Sequence, residues 1–327
     1  MIWSSKKVLV TGAGGFIGSH LAERLVEAGA KTRALVHYRA DGASGWLENS
    51  ACRDDIEIIA GDVRDGESVL RAVRGVDIVF HLAALIGIPY SYHAPVSYVR
   101  TNIEGTLNIL AAARDLNIER VVHTSTSEVY GTARDVPISE LHPLQAQSPY
   151  AASKIGADKL AEAFFHSFGL PVVTLRPFNT FGPRQSARAV IPTIITQCLT
   201  LPRIRLGNIH PTRDFNFVSN TVDGYVQASA APDAVGRTIN IGSGREVSIE
   251  EIAKTIAKNI GRPITIDFEP ERVRPPDSEV ERLVADSSMA RKMLGWQPSV
   301  SLEEGLRVTI DWLQSHLGAY RPTSYVV

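Results

Sequence analysis

The chain has 327 residues, 34 basic and 35 acidic side chains, a formal net charge of −1 and 44% hydrophobic residues. This composition is typical of a soluble globular protein that is long enough for two coupled domains. A nearly neutral chain creates no overall field that attracts nucleic acid or an anionic membrane, so local arginines and backbone amides must bind any anionic ligand.

The cysteines, the apolar stretches and the first residues together predict a protein of the reducing cytoplasm. Cys52 and Cys198 have no metal-ligand spacing and predict no disulfide framework. No apolar stretch approaches the ~20 residues that span a bilayer, and the first residues lack the hydrophobic run of a signal peptide. We expect no metal, no nucleic acid and no membrane partner.

From residue 6 onward, short apolar runs alternate with longer amphipathic ones. KKVLVTG predicts a strand, GFIGSHLAERLVEAGA a helix that ends near Gly29, and KTRALVHY the next strand. IEIIAGDV, VDIVFHLAA, ERVVHTSTS and PVVTLRPFN continue as strands, with helical patterns near 65–74, 94–116 and 149–168. Strands of this composition that alternate with helices predict an α/β fold, a doubly wound parallel sheet of the Rossmann type.

The pattern changes near residue 180, after which polar and proline-rich loops separate shorter elements. We therefore predict an NAD(P)-binding Rossmann domain over 1–180 and a smaller C-terminal α/β domain over 181–327 that binds the substrate. Residues 215–241 are expected to pack back onto the first domain.

A glycine-rich turn joins the first strand to the first helix. Gly12, Gly15 and Gly18 allow a tight turn and let backbone amides approach a pyrophosphate. The next helix, which includes Phe16 and Ile17, adds amide donors and the positive end of its dipole. At a first strand–helix junction this pattern predicts a dinucleotide-binding site.

The end of the second strand bears on the choice of cofactor. An acidic residue there binds the ribose of NAD, whereas an arginine suits the 2′-phosphate of NADP. His37, Tyr38 and Arg39 occupy these positions, and Asp41 comes slightly later. Arg39 slightly favours NADP, but a solvated loop cation is an equal alternative and NAD stays open.

Tyr150 and Lys154 lie four residues apart at the start of a predicted helix. This spacing places both side chains on one helix face. A lysine cation beside a phenol favours the phenolate, so we expect Lys154 to lower the pKa of Tyr150 from about 10 toward neutrality.

The glycine turn, the hydroxyl-rich strand end at 123–131 and the Tyr150–Lys154 pair together resemble the extended short-chain dehydrogenase/reductase family, in the branch that modifies nucleotide-activated sugars. The resemblance covers the chain from Lys7 to about Leu313. It implies that the glycine turn binds NAD(P)+, that Tyr150 is the catalytic acid or base and that Lys154 supports it. It also implies cofactor contacts from two further strand ends, by Asp62 and Val63 and by Leu82, Ala83 and Ala84.

The same resemblance assigns the strand end Thr126-Ser127-Glu128 to the reacting sugar. The threonine binds O4, and a carboxylate two residues later is typical of dehydratases and decarboxylases rather than epimerases. Once C4 is a ketone, the C5 proton is acidic and a positioned carboxylate can remove it. Glu128 is therefore a candidate base, while the donor to the leaving hydroxyl stays open; the alternative is a structural hydrogen bond or ion pair.

Four residues match positions that meet the sugar and the diphosphate in this family: Asn179, Arg184, Arg213 and Arg274. Guanidinium groups suit a pyrophosphate, although a surface ion pair is an alternative for each arginine. The segments around Glu128 and RPPDSEVERL resemble the 4,6-dehydratases of legionaminic-type acid pathways. That resemblance implies a UDP- or GDP-linked hexose, with N-acetylglucosamine favoured over glucose.

The sequence therefore predicts a nucleotide-sugar 4,6-dehydratase, a lyase that uses NAD(P)+ without net consumption. The alternatives are a UDP-glucuronate decarboxylase, for which no cation can be assigned to the C6 carboxylate, a 4-epimerase, and a non-catalytic NAD(P)-binding scaffold. The family resemblance also implies a homodimer through the helices near 94–116 and 149–168. The apolar stripe in NIEGTLNILAAARD fits that interface or ordinary core packing.

Overall fold

A computed structural model describes residues 3–321. Its strands are β1 (Lys7–Thr11), β2 (Lys31–His37), β3 (Ile56–Gly61), β4 (Ile78–His81), β5 (Arg120–Thr124), β6 (Val172–Pro177), β7 (Asn179–Phe181), β8 (Ile204–Leu206), β9 (Thr212–Phe217), β10 (Thr238–Ile241), β11 (Glu246–Ser248) and β12 (Ile266–Phe268). Its helices are α1 (Phe16–Glu27), α2 (Gly66–Val73), α3 (Ile88–His93), α4 (Pro95–Tyr98), α5 (Gly105–Asp115), α6 (Pro149–Phe168), α7 (Val190–Thr200), α8 (Val218–Ala230), α9 (Ile249–Ile260), α10 (Ser288–Leu294) and α11 (Leu302–Ser315).

The central sheet has seven strands in the order β10-β6-β5-β4-β1-β2-β3, and every neighbouring pair is parallel. The predicted doubly wound α/β fold is confirmed. The order of the strands along the sheet reverses between β1 and β4. In such a sheet, ligands bind in the crevice beyond the carboxyl ends of the strands at this point.

The later part of the chain contributes to this sheet and also builds a smaller unit beside it. Strand β10 is the edge neighbour of β6, and α8 packs on β5 and β6. Strands β11, β9 and β7 form a second, three-stranded sheet, and β12 pairs with β8. Helices α7, α9 and α11 pack together around these short strands. The position of the domain boundary stays a prediction.

The helical pattern near 94–116 is interrupted in the structure. Helices α3 and α4 are short, and a π-helical turn over Val99–Glu104 precedes α5. A π turn adds one residue per turn and often marks a functional position. Here Asn102 bonds the backbone of Leu85 through both ends of its amide (2.9 Å each) and donates to Ser153 Oγ of α6 (2.9 Å). The interruption therefore ties the segment after β4 to the helix that carries Tyr150.

Helix α6 spans the predicted range of 149–168. Ser148 caps it by accepting a hydrogen bond from the Ala151 amide (3.1 Å), Pro149 occupies its first turn, and Gly169 ends it in the left-handed conformation. These are ordinary start and stop signals. Within residues 3–321, no helix is long and apolar enough to cross a membrane.

Candidate active site

The glycine turn lies at the switch point of the sheet. Gly12 has a φ of +68°, and a Cβ atom there would lie 2.9 Å from the backbone of Ala83 at the end of β4. A Cβ atom on Gly18 would collide with the Gly12 carbonyl. Helix α1 begins at Phe16, and Gly15 offers no side-chain cap, so the first amides of α1 are available to an anion. The turn fits a dinucleotide pyrophosphate.

A chain of buried polar groups holds the adjoining strand end. Thr11 Oγ1 accepts hydrogen bonds from the amides of Leu82 (3.1 Å) and Ala83 (3.0 Å). Its own proton therefore goes to His81 Nδ1 (2.9 Å), and His81 Nε2 donates to Thr106 (3.1 Å). Burial lowers the pKa of His81 well below its usual value. A neutral, fixed histidine thus positions the strand end predicted to lie along the cofactor.

Two ion pairs lie where the adenosine of the cofactor is predicted to bind. Each pair joins two residues of the same loop. Asp62 accepts hydrogen bonds from Arg64 (2.9 and 3.0 Å), and the arginine lowers the pKa of Asp62. Arg39 is exposed and pairs with Asp41 (2.6 and 3.1 Å). Because Asp41 already offsets the charge of Arg39, this arginine is a weaker argument for a 2′-phosphate than the sequence suggested.

Tyr150 is buried at the start of α6, and its ring packs edge-on against Tyr98 at 6.2 Å between centroids. Burial raises the pKa of the phenol above 10, and a hydrogen bond with the Thr126 side chain opposes this rise. The prediction that Lys154 lowers this pKa toward neutrality is wrong for the chain by itself. Desolvation of the phenolate is the largest cause, and the charges of Glu128 and Asp158 raise this pKa further.

Lys154 is buried one turn further along α6, and its ammonium group donates to the Thr124 carbonyl (2.5 Å) at the end of β5. Burial lowers the pKa of Lys154 to about 8, and the Asp158 carboxylate opposes that shift. Lys154 is therefore held on the strand end between Tyr150 and Asp158.

The predicted triplet forms a buried turn. Thr126 caps a 3₁₀ turn over Ser127–Tyr130, and its Oγ1 accepts a hydrogen bond from the Glu128 amide (3.2 Å). Glu128 is 9% exposed. No side chain or amide within residues 3–321 donates a hydrogen bond or forms an ion pair with its carboxylate. Its charge acts on Tyr150 and on Arg213, so Glu128 lies within electrostatic range of both side chains.

Two of the four predicted substrate residues share one carboxylate. Arg213 of β9 is buried and lies 3.3 Å from Glu279, and Arg274 lies 3.6 Å from the same group. One terminal nitrogen of Arg274 is buried without a hydrogen-bond partner in the described chain. The Asn179 Oδ1 atom, at the start of β7, is likewise buried and unpartnered there. Such orphaned groups are what a missing polar ligand would satisfy.

Arg184 does not join this group. It adopts a positive φ of 70° and forms an ion pair with Glu23 of α1 (2.9 and 3.0 Å) and a hydrogen bond to Ser19 (3.1 Å). Both charged side chains are largely buried. The structure therefore gives Arg184 a role in fastening the second unit to α1, which is the ion-pair alternative, and does not support a substrate contact.

Sequence reasoning missed the groups behind the catalytic pair. Asp158, His123, Ser125 and Arg176 form a buried network under α6, and Glu279 bridges the two arginines. A signal for Asp158 was present, because it follows Lys154 by four residues and shares its helix face. The partners of Asp158 come from separate strands, and no spacing in the chain announces them.

Comparison with known proteins covers almost the whole chain. The family model described as GDP-mannose 4,6 dehydratase matches residues 9–309. A UDP-glucose 4-epimerase of Mycolicibacterium smegmatis is 34% identical over 94% of this chain and 99% of its own.

Two solved structures have the same fold. The dTDP-glucose 4,6-dehydratase DesIV of Streptomyces venezuelae, solved with NAD, superposes with a TM-score of 0.88 at 29% identity and covers 97% of this chain and 100% of its own. The UDP-glucuronic acid 4-epimerase of Bacillus cereus, solved with UDP-glucuronic acid and NAD, gives 0.86 at 29% identity, over 95% and 99% of the two chains. The relatives thus include both dehydratases and epimerases.

Proposed function

The chain belongs to the extended short-chain dehydrogenase/reductase family, and we propose that it is an enzyme that acts on nucleotide sugars as a 4,6-dehydratase. The family comparison supports an NAD-dependent dehydratase or epimerase. The observation that carries the choice is Glu128, a residue that is 9% exposed and whose carboxylate, within residues 3–321, receives no hydrogen bond and acts electrostatically on Tyr150. A carboxylate without a structural partner favours the role of a base over a structural role.

The chemistry assigns one task to each residue. Thr126 and Tyr150 bind the C4 hydroxyl, and Tyr150 accepts its proton as C4 becomes a ketone. A dinucleotide held by the glycine turn would supply the acceptor for the C4 hydride and the donor of that hydride to C6. Glu128 removes the C5 proton and passes a proton to the C6 hydroxyl, which leaves as water. When C6 receives the hydride, C5 takes up a proton, and Tyr150 gives up the proton that it took from the C4 hydroxyl. Ser127 lines the same turn. The product is a 4-keto-6-deoxy sugar, so the substrate has lost one water.

The diphosphate is proposed to bind Arg213 and Arg274. Both guanidinium groups face Glu279, and a diphosphate can bind two guanidinium groups bidentately. Asn179 is assigned to the sugar because its buried oxygen has no partner among the described residues. The N-acetylglucosamine group, on UDP or GDP, is proposed from the resemblance of the RPPDSEVERL segment.

For the cofactor we propose NAD rather than NADP. Asp41 already pairs with Arg39, and an acidic group in this loop would repel a 2′-phosphate. The amides of α1 and the end of β4 would hold the dinucleotide, together with Asp62 and Val63 at the end of β3. The test is to measure by chromatography which cofactor the purified protein binds from an equimolar mixture.

The function is tested by mass spectrometry of the protein with NAD+ or NADP+ and a panel of nucleotide sugars that includes UDP- and GDP-N-acetylglucosamine, dTDP-glucose and UDP-glucuronate. A hexose product lighter by one water supports the proposal and identifies the sugar. Unchanged mass with a new chromatographic peak would replace it with epimerisation.

Decarboxylation of UDP-glucuronate is the second candidate, and Arg188 is the cation that we propose for the C6 carboxylate. A Cβ atom on Gly87 would lie 2.7 Å from a guanidinium nitrogen of Arg188. Arg188 is exposed, forms no ion pair with any residue described and acts electrostatically on Tyr98, which packs on Tyr150. Loss of carbon dioxide from UDP-glucuronate, abolished by Arg188→Ala, would establish this reading.

We also propose that the enzyme is a cytoplasmic homodimer that has no nucleic-acid or membrane partner. Val96, Val99 and Leu107 are at least 40% exposed and form a stripe along one side of the helical segment that ends with α5. Phe168 of α6 is exposed nearby, under Arg114. An exposed apolar stripe of this kind fits pairing with a second copy. Light scattering of the wild type and of Leu107→Glu tests the dimer, which the variant should dissociate.

A further inference from the structure

One buried carboxylate on the catalytic helix accepts hydrogen bonds from several side chains. Asp158 lies in α6 and is 5% exposed. It accepts hydrogen bonds from Ser125 Oγ (2.6 Å), His123 Nε2 (3.1 Å) and the Arg176 guanidinium (3.0 and 3.3 Å). These donors, which come from β5, from the residue after it and from β6, keep the pKa of Asp158 at about 2. The carboxylate is therefore charged at neutral pH.

Lys154 lies one turn before Asp158 in α6, and its side chain contacts the same end of β5. Its ammonium group binds the Thr124 carbonyl, whereas the residues on either side of Thr124 in the chain, His123 and Ser125, bind Asp158. Lys154 and Asp158 are also four residues apart on one face of α6. The two side chains thus hold three consecutive residues at the end of β5.

We propose that Asp158 is a positioning residue: it holds the two residues that flank the Thr124 carbonyl, and it is the longer-range counter-ion that keeps the Lys154 ammonium group charged at that carbonyl. A buried ammonium group without a counter-ion would lose its proton or move toward solvent. Asp158 forms its ion pair with Arg176 and none within 4.0 Å with Lys154, so it attracts the ammonium group at longer range, while the Thr124 carbonyl fixes the place of that group. For catalysis this inference rests on the proposed function, but the counter-ion role itself requires no substrate.

The other groups that face this network support the assignment. Arg176 also donates to the Tyr130 hydroxyl (2.9 Å), which donates to Asn240 (2.8 Å). Burial lowers the pKa of His123, and its Nδ1 atom has no partner in the described chain, which fits a neutral ring protonated on Nε2. His81 stacks on it at 6.0 Å and is neutral as well. Asp158 is therefore the anion that opposes the loss of the Lys154 proton.

The test is a direct NMR titration of Lys154 in the full-length protein. The chain contains eight lysines, so ¹³Cε-lysine labelling gives few resonances, and the one absent from Lys154→Arg is Lys154. In the wild type it should titrate near pH 8. In Asp158→Asn the midpoint should fall by about one pH unit or more. Glu162→Gln, which removes an exposed carboxylate from the same helix, should leave it unchanged.

An unchanged midpoint in folded Asp158→Asn would overturn the proposal. If that variant does not fold because Arg176 is left uncompensated, the same comparison is made between Arg176→Gln and Arg176→Gln/Asp158→Asn. The second of these must again titrate lower than the first, and equal midpoints overturn the proposal. Since no substrate is added, a negative result here is independent of any failure to find a dehydratase product.

Discussion

Two buried carboxylates near the end of β5 have opposite surroundings. Asp158 accepts hydrogen bonds from three side chains of the protein. Glu128 is also buried but accepts none from residues 3–321. A buried charge that is bonded by several side chains contributes to one defined structure, whereas a carboxylate with no protein partner is free to meet a ligand or take part in a reaction. The contrast separates the supporting group from the reacting group more clearly than residue type does.

The same contrast explains the polar stretch from His123 to Gly131. His123 and Ser125 point to Asp158, and the Thr124 hydroxyl accepts a hydrogen bond from Tyr225 of α8 (2.9 Å). Thr126 caps the next turn and faces Tyr150. The end of β5 thus supplies partners for Asp158 of α6, and the turn that follows it carries the groups proposed to react.

The largest expected effect is on turnover. Tyr150→Phe removes the proton acceptor but keeps the ring that packs on Tyr98, so turnover should fall about 10³-fold, or ~4 kcal/mol, with the fold intact. The measurement is product formation by mass spectrometry, with circular dichroism to check folding. Tyr98→Phe, which loses only a hydrogen bond to the Gly87 carbonyl, is the control. A scaffold protein would show no turnover to lose.

The second prediction is that removal of the Asp158 carboxylate mainly lowers stability, whereas removal of the Glu128 carboxylate mainly lowers turnover. Asp158→Ala leaves Arg176 buried and unpaired, so the free energy of unfolding should fall by about 3 kcal/mol or more. Glu128→Gln should change stability by less than about 0.5 kcal/mol and still reduce turnover at least about 10²-fold. Urea unfolding and product assays measure both. A large loss of stability in Glu128→Gln would restore the structural reading of that residue.

The third prediction concerns pH. The pKa of Lys154 is about 8 in the folded protein and 10.5 as the usual value, so between these values the unfolded chain binds a proton that the folded chain does not. Stability therefore rises with pH in this window, by about 2 kcal/mol between pH 8 and pH 10. Lys154→Met should lack this rise, so the difference between the stability curves of the wild type and the variant gives the contribution of Lys154. Parallel stability curves for the two would contradict the buried charge.

The smallest effect is expected at Arg39, whose charge is exposed and already paired. Arg39→Ala should change the affinity for NAD+ less than threefold, as measured by calorimetry, because surface ion pairs contribute little. Arg64→Ala serves as the matched control in the adjoining loop, since it leaves Asp62 without its partner. A tenfold loss of NADP+ affinity in Arg39→Ala would support the 2′-phosphate interpretation instead.

The sequence was sufficient for features that depend on local pattern. The parallel sheet follows from the alternation of apolar strands with amphipathic helices, and α6 from its cap and its glycine stop. The glycine turn could be recognised because only glycine allows the close approach of the backbone at Gly12 and Gly18. The pair Tyr150 and Lys154 is local in the same way, since a helix fixes the distance between residues four apart.

Other features depended on residues distant in the chain, and only the tertiary structure decided them. Arg184 pairs with Glu23 rather than joining Arg213, because the turn after β7 lies against α1. Burial decided that the pKa of Tyr150 is raised, and desolvation has no signature in a spacing of side chains. The partners of Asp158 come from two neighbouring strands and meet it only when the sheet forms. The sequence by itself therefore determined which residues are chemically able to react. The fold decided which of them have no hydrogen-bond or ion-pair partner in the described chain and can therefore take part in a reaction.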